Sequence, residues 1–246
     1  MHPILVKLGP LTLYSYGVLL VVAFVVTTWQ AVRAARRLPP TLVAIGPEQL
    51  VDFSCVALLG GLLGGRLLYV LLEWDWFANS PLTIFAIWQG GLVWYGGFLG
   101  GVVTAWLYTR AKRLVFLRVM DQFIPFLSLG HAIGRIGCFF NGCCYGKPTD
   151  GWWGVTFPGH PTAVLPTQLF ESFGLFLLYG ILRALQRPAV LAHPGRLFGL
   201  YLAGYGLLRF IIEFFRGDQP AWWAGLTLPQ LVSLAAVAAG VWLIRR

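Results

Sequence analysis

Charge is what this sequence is short of. Only 11% of its 246 residues are Asp, Glu, Lys or Arg, while 58% are hydrophobic and the mean hydropathy is +0.73. A soluble globular domain is about a quarter charged, so the composition excludes one and indicates an integral membrane protein. Acidic residues are the scarcer sign, 9 against 18 Lys and Arg, leaving a net charge of +9. In a soluble chain that excess would suggest a nucleic-acid partner. No polar stretch is long enough to separate two domains, so residues 1–246 read as a single transmembrane domain. The 4 cysteines include no C-x-x-C pair, a spacing unlike that of the usual zinc motifs. The N-terminus lacks the features of a cleavable signal, since only Lys7 is basic before an apolar run of full span length.

Apolar stretches close to the ~20 residues needed to cross the hydrocarbon core fall at about Leu11–Val32, Val51–Leu72, Gly90–Tyr108, Val119–Phe140, Thr167–Leu185, Leu197–Phe215 and Leu226–Ile244. The basic residues gather at alternate boundaries. Arg33, Arg36 and Arg37 follow the first stretch; Arg110, Lys112, Arg113 and Arg118 follow the third. Arg183, Arg187 and Arg196 follow the fifth, and Arg245 and Arg246 the seventh, placing twelve of the eighteen on one side. The other loops carry Glu73 and Asp75, Lys147 and Asp150, and Arg216 and Asp218. The positive-inside rule makes the basic side cytoplasmic. The expected fold is therefore all-α and polytopic, with seven transmembrane helices, the N-terminus outside and the C-terminus in the cytoplasm. The excess positive charge is topology and excludes the nucleic-acid reading.

Trp74, Trp76, Trp88, Trp152, Trp153, Trp222 and Trp223 suit interfacial belts. Residues 141–166, with GKPTDGWWG and FPGHPT, read as an ordered outer loop lying on the bilayer. GGLLGG (Gly60–Gly65) and GGFLGG (Gly96–Gly101) each supply Gly-x-x-x-Gly pairs that let helices approach closely in lipid.

Ionisable groups inside spans are costly and are functional candidates. Arg66, Asp121, Arg135, Glu171, Arg209 and Glu213 all fall there, three of each sign. Tyr205, Arg209 and Glu213 follow at i, i+4 and i+8 on one helix face, with Arg216 near that face. One reading is a structural Arg209–Glu213 pair. The other sets Arg209 beside Arg135 at matching depth near the outer end of a second helix, where two guanidiniums would fork onto a lipid phosphate.

After Arg135 the chain leaves the bilayer through GCFFNGCCYG, with Asn141–Gly142 marking a tight turn. His131, Cys138, Cys143 and Cys144 are metal-ligating types, but their spacing argues against a metal. A disulfide from Cys138 to either neighbour, or simple packing of small residues, are the other readings. His131, one turn before Arg135, is a packing residue or a base.

The segments GRIGCFFNGCCYG (Gly134–Gly146), YSYG (Tyr14–Gly17), GGRLLYV (Gly64–Val70), WQGGLVWYGGFLGG (Trp88–Gly101), PTQLFES (Pro166–Ser172) and YGLLRFIIEFFR (Tyr205–Arg216) together resemble the prolipoprotein diacylglyceryl transferases. These are bacterial inner-membrane enzymes that lipidate lipoprotein precursors. The first segment is similar to the family signature G-R-x-G-x-F-x-N-G followed after two or three residues by Gly. The segments keep the family's order and span nearly the whole chain, and the family's seven-span, N-out topology agrees with the charge pattern.

The resemblance implies transfer of the diacylglyceryl group of phosphatidylglycerol to the lipobox cysteine thiol of a precursor's signal peptide. A thioether forms and glycerol-1-phosphate leaves, with no metal or other cofactor. Arg135 would hold the lipid phosphate and Arg209 would be the second essential arginine. Tyr16, Asn141, Gly146, Tyr205, Glu213 and Arg216 fall on positions that shape the family's site, and Arg66, in GGRLLYV, joins the substrate-binding set. The chain departs from the common pattern at Tyr95, where the family has a His that is a candidate base. It departs again at Cys143, for Glu, and at Cys138, for Asn. A Tyr of pKa ~10 is a poor base at neutral pH but can relay a proton, which leaves His131 as the nearest imidazole. A non-catalytic phospholipid- or metal-binding membrane protein is the alternative. A transporter ranks third, because the outer-side charges are too shallow for a midplane site.

Overall fold

The computed structural model describes residues 4–8, 11–86, 90–217 and 220–246. Trp88 and Asp218, used above for an interfacial belt and a loop charge, lie outside them, as does Gln89 of the fourth family-like segment. Each of the seven apolar stretches overlaps a long helix: α1 (Ser15–Ala35), α2 (Pro47–Leu72), α4 (Trp94–Ala111), α5 (Phe116–Asn141), α6 (Thr167–Leu185), α8 (Arg196–Glu213) and α9 (Leu228–Arg245). Short helices α3 (Trp74–Ala78) and α7 (Pro188–Leu191) lie in connections. Five helical segments, 15–35, 40–72, 116–141, 167–185 and 228–245, are long and apolar enough to cross a membrane. The other two, α4 and α8, have 18 residues each, about 27 Å at 1.5 Å per residue. Their hydropathy is diluted by Gly96, Gly97, Gly100 and Gly101 in α4 and by Arg196, Arg209 and Glu213 in α8.

The all-α expectation needs one amendment. Strands β1 (Ile4–Leu8) and β2 (Leu11–Tyr14) pair antiparallel, as do β3 (Ala221–Trp223) and β4 (Leu226–Thr227). The apolar run at residues 11–14 looked like the start of the first span, but α1 begins only at Ser15.

The chain folds into two compact units, one of residues 1–31, 39–42 and 120–246, the other of residues 32–38 and 43–119. Helix surfaces in both carry large apolar side chains outward. Leu63, Leu67 and Leu71 on α2 are 59–71% exposed, and Phe173, Leu177 and Ile181 on α6 are 54–66% exposed, each set at i, i+4, i+8. Meanwhile Gln168, Glu171 and Ser172 are buried. Polar groups inside and leucines outside are what a hydrocarbon solvent selects, because it removes the reward for hiding apolar surface and raises the cost of exposing polar groups.

In the smaller unit, α2 and α4 meet through their glycines, as the repeated motif led us to expect. A Cβ on Gly64 would lie 2.4 Å from the Gly96 carbonyl oxygen, and one on Gly100 would lie 2.3 Å from that of Gly60. We expect Gly64→Ala to lower stability in detergent by about 1–3 kcal/mol, because overpacking forces the backbones apart. Gly17→Ala, whose Cβ meets nothing within 4 Å, serves as the control, and equal thermal unfolding of the two variants would contradict the account.

In the larger unit, three polar devices fix the helices that bear the site. Pro125 interrupts α5 and, having no N–H, frees the carbonyl of Asp121 four residues earlier. Gln186, beyond the end of α6, donates its Nε2 to the carbonyls of Asp121 at 3.3 Å and Gln122 at 3.0 Å. The Asp121 carboxylate in turn accepts the Gly195 and Phe198 N–H groups, capping α8 from a neighbouring helix and opposing its positive end. Helix α9 carries its own capping box, in which Thr227 and Gln230 exchange side-chain and backbone bonds at 3.4 and 3.0 Å.

Candidate active site

The polar face of α6 sits in its first two turns, where Thr167, Gln168, Glu171 and Ser172 are all at most 3% exposed. A buried carboxylate needs partners, and Glu171 has them on two other helices. From α5, Arg135 Nη2 reaches Glu171 Oε1 at 2.9 Å and His131 Nε2 lies 3.9 Å from the same oxygen. From α8, the Tyr205 hydroxyl donates to Oε1 at 3.1 Å and Arg209 Nη1 lies 3.7 Å from Oε2. Arg209 Nη2 also pairs with Glu213 Oε2 at 2.7 Å, one turn along α8. The second oxygen of Glu213 accepts the hydroxyl of Thr227, the cap of α9. The i, i+4 spacing in α8 therefore produces the local pair, while Glu171 joins both arginines across helices.

Two arginines and two glutamates balance to zero, yet two guanidinium nitrogens make no hydrogen bond, Arg209 Nη1 having only its longer 3.7 Å ion pair with Glu171. Arg135 Nε and Arg209 Nη1 are buried with no hydrogen-bond partner. A buried N–H of a cation left unbonded is expensive, so a pair of them on adjoining helices is a place for an anion.

The other expected site residues divide between the units. Tyr16, in the first turn of α1, packs over Gly137, whose added Cβ would lie 3.2 Å from its ring, and it lies within electrostatic reach of Arg135 and the three neighbouring cysteines. The His131 ring stands edge-on to Tyr205 with centroids 4.9 Å apart. Asn141 closes α5. The Cys143 thiol donates to the Cys138 carbonyl at 3.7 Å, and Arg135 and Arg216 lie within electrostatic reach of Cys144. Gly146 is buried where a Cβ would come within 2.5 Å of the Phe215 carbonyl oxygen, so the loop at 141–166 is pinned there to the end of α8. Further contacts hold that loop. Lys147 N–H bonds to Phe215 O, strand-like bonds link Val155 with Val164, and Phe157 is fully buried.

Tyr95 and Arg66 belong to the smaller unit. Tyr95 lies in the first turn of α4, edge-on to Trp94. Arg66, of the expected substrate-binding set, is held by backbone carbonyls. Its Nε donates to Ile84 O, its Nη1 to Gly90 O and Gly91 O, and its Nη2 to Thr83 O and Ala86 O, at 2.6–3.4 Å. Tyr69 and Phe77 flank the guanidinium. With five N–H donors engaged, Arg66 ties down the connection before α4. Sequence reasoning also missed the centre of the cluster. Glu171 was legible only as one of six buried ionisable groups, and Gln168 and Thr227 gave no signal.

The model of the prolipoprotein diacylglyceryl transferase family matches residues 3–246. The chain belongs to that family. Among its relatives named phosphatidylglycerol–prolipoprotein diacylglyceryl transferase, the protein of Pseudoalteromonas atlantica is 36% identical, over 99% of this chain and 90% of its own length. Those of Cupriavidus metallidurans and Clostridium tetani are 34% and 32% identical, over 99% and 98% of this chain and 94% and 96% of theirs. All four arms of the Glu171 cluster, together with the turn at Asn141–Gly146, therefore lie inside the stretch that matches the family.

Proposed function

We propose that this chain transfers the diacylglyceryl group of phosphatidylglycerol to the lipobox cysteine thiol of a prolipoprotein. It would do so as a seven-span protein of the bacterial inner membrane, with its N-terminus outside, its C-terminus in the cytoplasm and no nucleic-acid partner. The observation that carries this reading is the pair of open donors, Arg135 Nε and Arg209 Nη1, presented by two helices around one carboxylate. The names of the full-length relatives supply the substrates.

The chemistry follows from the charge. The bond between the glycerol carbon and the phosphate oxygen breaks, a carbon–sulfur bond forms, and glycerol-1-phosphate departs with the electron pair on its oxygen. Two guanidiniums aimed at that oxygen stabilise it where the dielectric is low and no reorganisation is needed. Glu171 and Tyr205 hold Arg135 in place, and Glu213 holds Arg209. The acceptor thiol must lose its proton, since thiolate is the nucleophile. His131 is the imidazole of this cluster and the first candidate to take that proton; Tyr95 is the candidate relay. Tyr16, Asn141, Cys143, Gly146 and Arg216 shape the headgroup and acceptor side, and Arg66 fixes the connection before α4.

The test is transfer of label from phosphatidylglycerol to a lipobox peptide by the purified chain in detergent, with glycerol-1-phosphate measured in parallel. Wild type should release one glycerol-1-phosphate per labelled peptide. If it does no better than a variant carrying both Arg135→Ala and Arg209→Ala, the reading fails.

A further inference from the structure

Three thiols meet beside this site. Cys138 lies in the last turn of α5, and Cys143 and Cys144 follow the turn at Asn141–Gly142. Their Sγ atoms all fall within 4.8 Å of one another. The spacing, unlike any C-x-x-C motif, conceals this in the sequence. The chain achieves it by reversing over the helix end. Gly142 has φ +73°, Cys143 N–H returns to Cys138 O at 3.1 Å, and Cys144 has φ +63°. A left-handed conformation costs a side-chain-bearing residue about 1–2 kcal/mol and persists only where its surroundings enforce it. Here α6 enforces it, with Gln168 Nε2 donating to Cys143 O at 2.6 Å and Thr167 Oγ1 to Cys144 O at 2.9 Å. Both donors come from residues 1% exposed. Strain, rigid backing and convergence of soft ligands are the marks of a built site.

We propose that Cys138, Cys143 and Cys144 hold one thiophilic metal ion of the zinc class, leaving its fourth position open to the acceptor thiol. Zinc–sulfur bonds of ~2.3 Å set sulfur–sulfur distances of about 3.8–4.0 Å, so the thiols need to close by less than about 1 Å from the separation seen. Three thiolates and a dication leave one negative charge, and Arg216 lies within electrostatic reach of Cys144 to offset it. Among the described residues no His, Asp or Glu completes the group. Three protein ligands with an open position are the pattern of a reactive rather than a structural zinc. A thiol that binds there gives up its proton outright; the sulfur keeps its electron pair for attack, and the proton passes to solvent or His131. That would supply thiol activation in a chain with Tyr95 where its family commonly has a histidine. The acceptor step rests on the transferase reading; the metal site does not.

Two arms separate these claims. The full-length protein, purified with reductant and chelator, is titrated with Cd²⁺ and followed by cadmium–thiolate charge-transfer absorption, without lipid or peptide. One equivalent per chain is expected, abolished by Cys138→Ser or Cys143→Ser and retained by Cys55→Ser. Absence of stoichiometric binding to reduced wild type overturns the site. So does a purified protein two hydrogens lighter, whose cluster thiols resist alkylation until reduced, because that marks a disulfide. In the second arm, a lipobox peptide added to the cadmium-loaded protein should raise the absorption by a further third, whereas the Cys→Ser peptide should not. No increase overturns the acceptor step whatever the lipid-transfer assay reports.

Discussion

Arg135→Lys is expected to slow transfer from phosphatidylglycerol by about 10²–10³-fold, the usual effect of removing one donor from a developing oxyanion. The substitution keeps the positive charge, so a role in bulk electrostatics alone predicts little change. It removes the fork. Arg135 holds Glu171 with Nη2 at 2.9 Å while Nε remains open, two directions that one guanidinium serves at once and a single ammonium does not. The loss should fall on kcat more than on KM, because the charge on the departing oxygen exists only in the transition state. Initial rates over a series of phosphatidylglycerol concentrations in mixed micelles measure both. Arg209→Lys should act in the same direction and also break the 2.7 Å pair with Glu213. Wild-type kcat in Arg135→Lys would remove the open donor from the mechanism.

The sequence revealed this arrangement unevenly, for physical reasons. The long helices were legible because lipid favours long apolar runs. The hairpin at residues 4–14 was not, since β2 continues the apolar character of α1 and only pairing separates them. Arg135 and Arg209 stood out because a charge in such a run has few benign explanations. Their convergence on Glu171 was hidden, because Arg209 had Glu213 one turn away to prefer on paper, and the partner was decided by how α5, α6 and α8 pack. The surroundings of Arg66 were hidden for the converse reason. Its partners are backbone carbonyls at positions 83–91, and carbonyls have no identity in a sequence. The cysteines were visible, but only the left-handed turn at Cys144 brings them together.

Glu171→Gln should be the most destabilising substitution in the site, lowering unfolding free energy in detergent by about 3–5 kcal/mol, the cost of stripping one partner from a buried ion pair. Glutamine keeps the shape and one acceptor for Tyr205, so the loss reflects charge: Arg135 remains buried without its carboxylate, and Arg209 retains only Glu213. Removing the arginine as well should recover much of the stability, so that Glu171→Gln with Arg135→Met unfolds at a higher temperature than Glu171→Gln alone. A second recovery distinguishes an anion site from a purely structural pair. In micelles containing phosphatidylglycerol the lipid phosphate can supply the missing negative charge, and a ligand that binds only the folded state stabilises it. Glu171→Gln should therefore gain more from phosphatidylglycerol than wild type does, and neither should gain comparably from a neutral diacylglycerol. If the variant is destabilised equally in both lipids, the guanidiniums serve the helix packing alone and the phosphate must bind elsewhere.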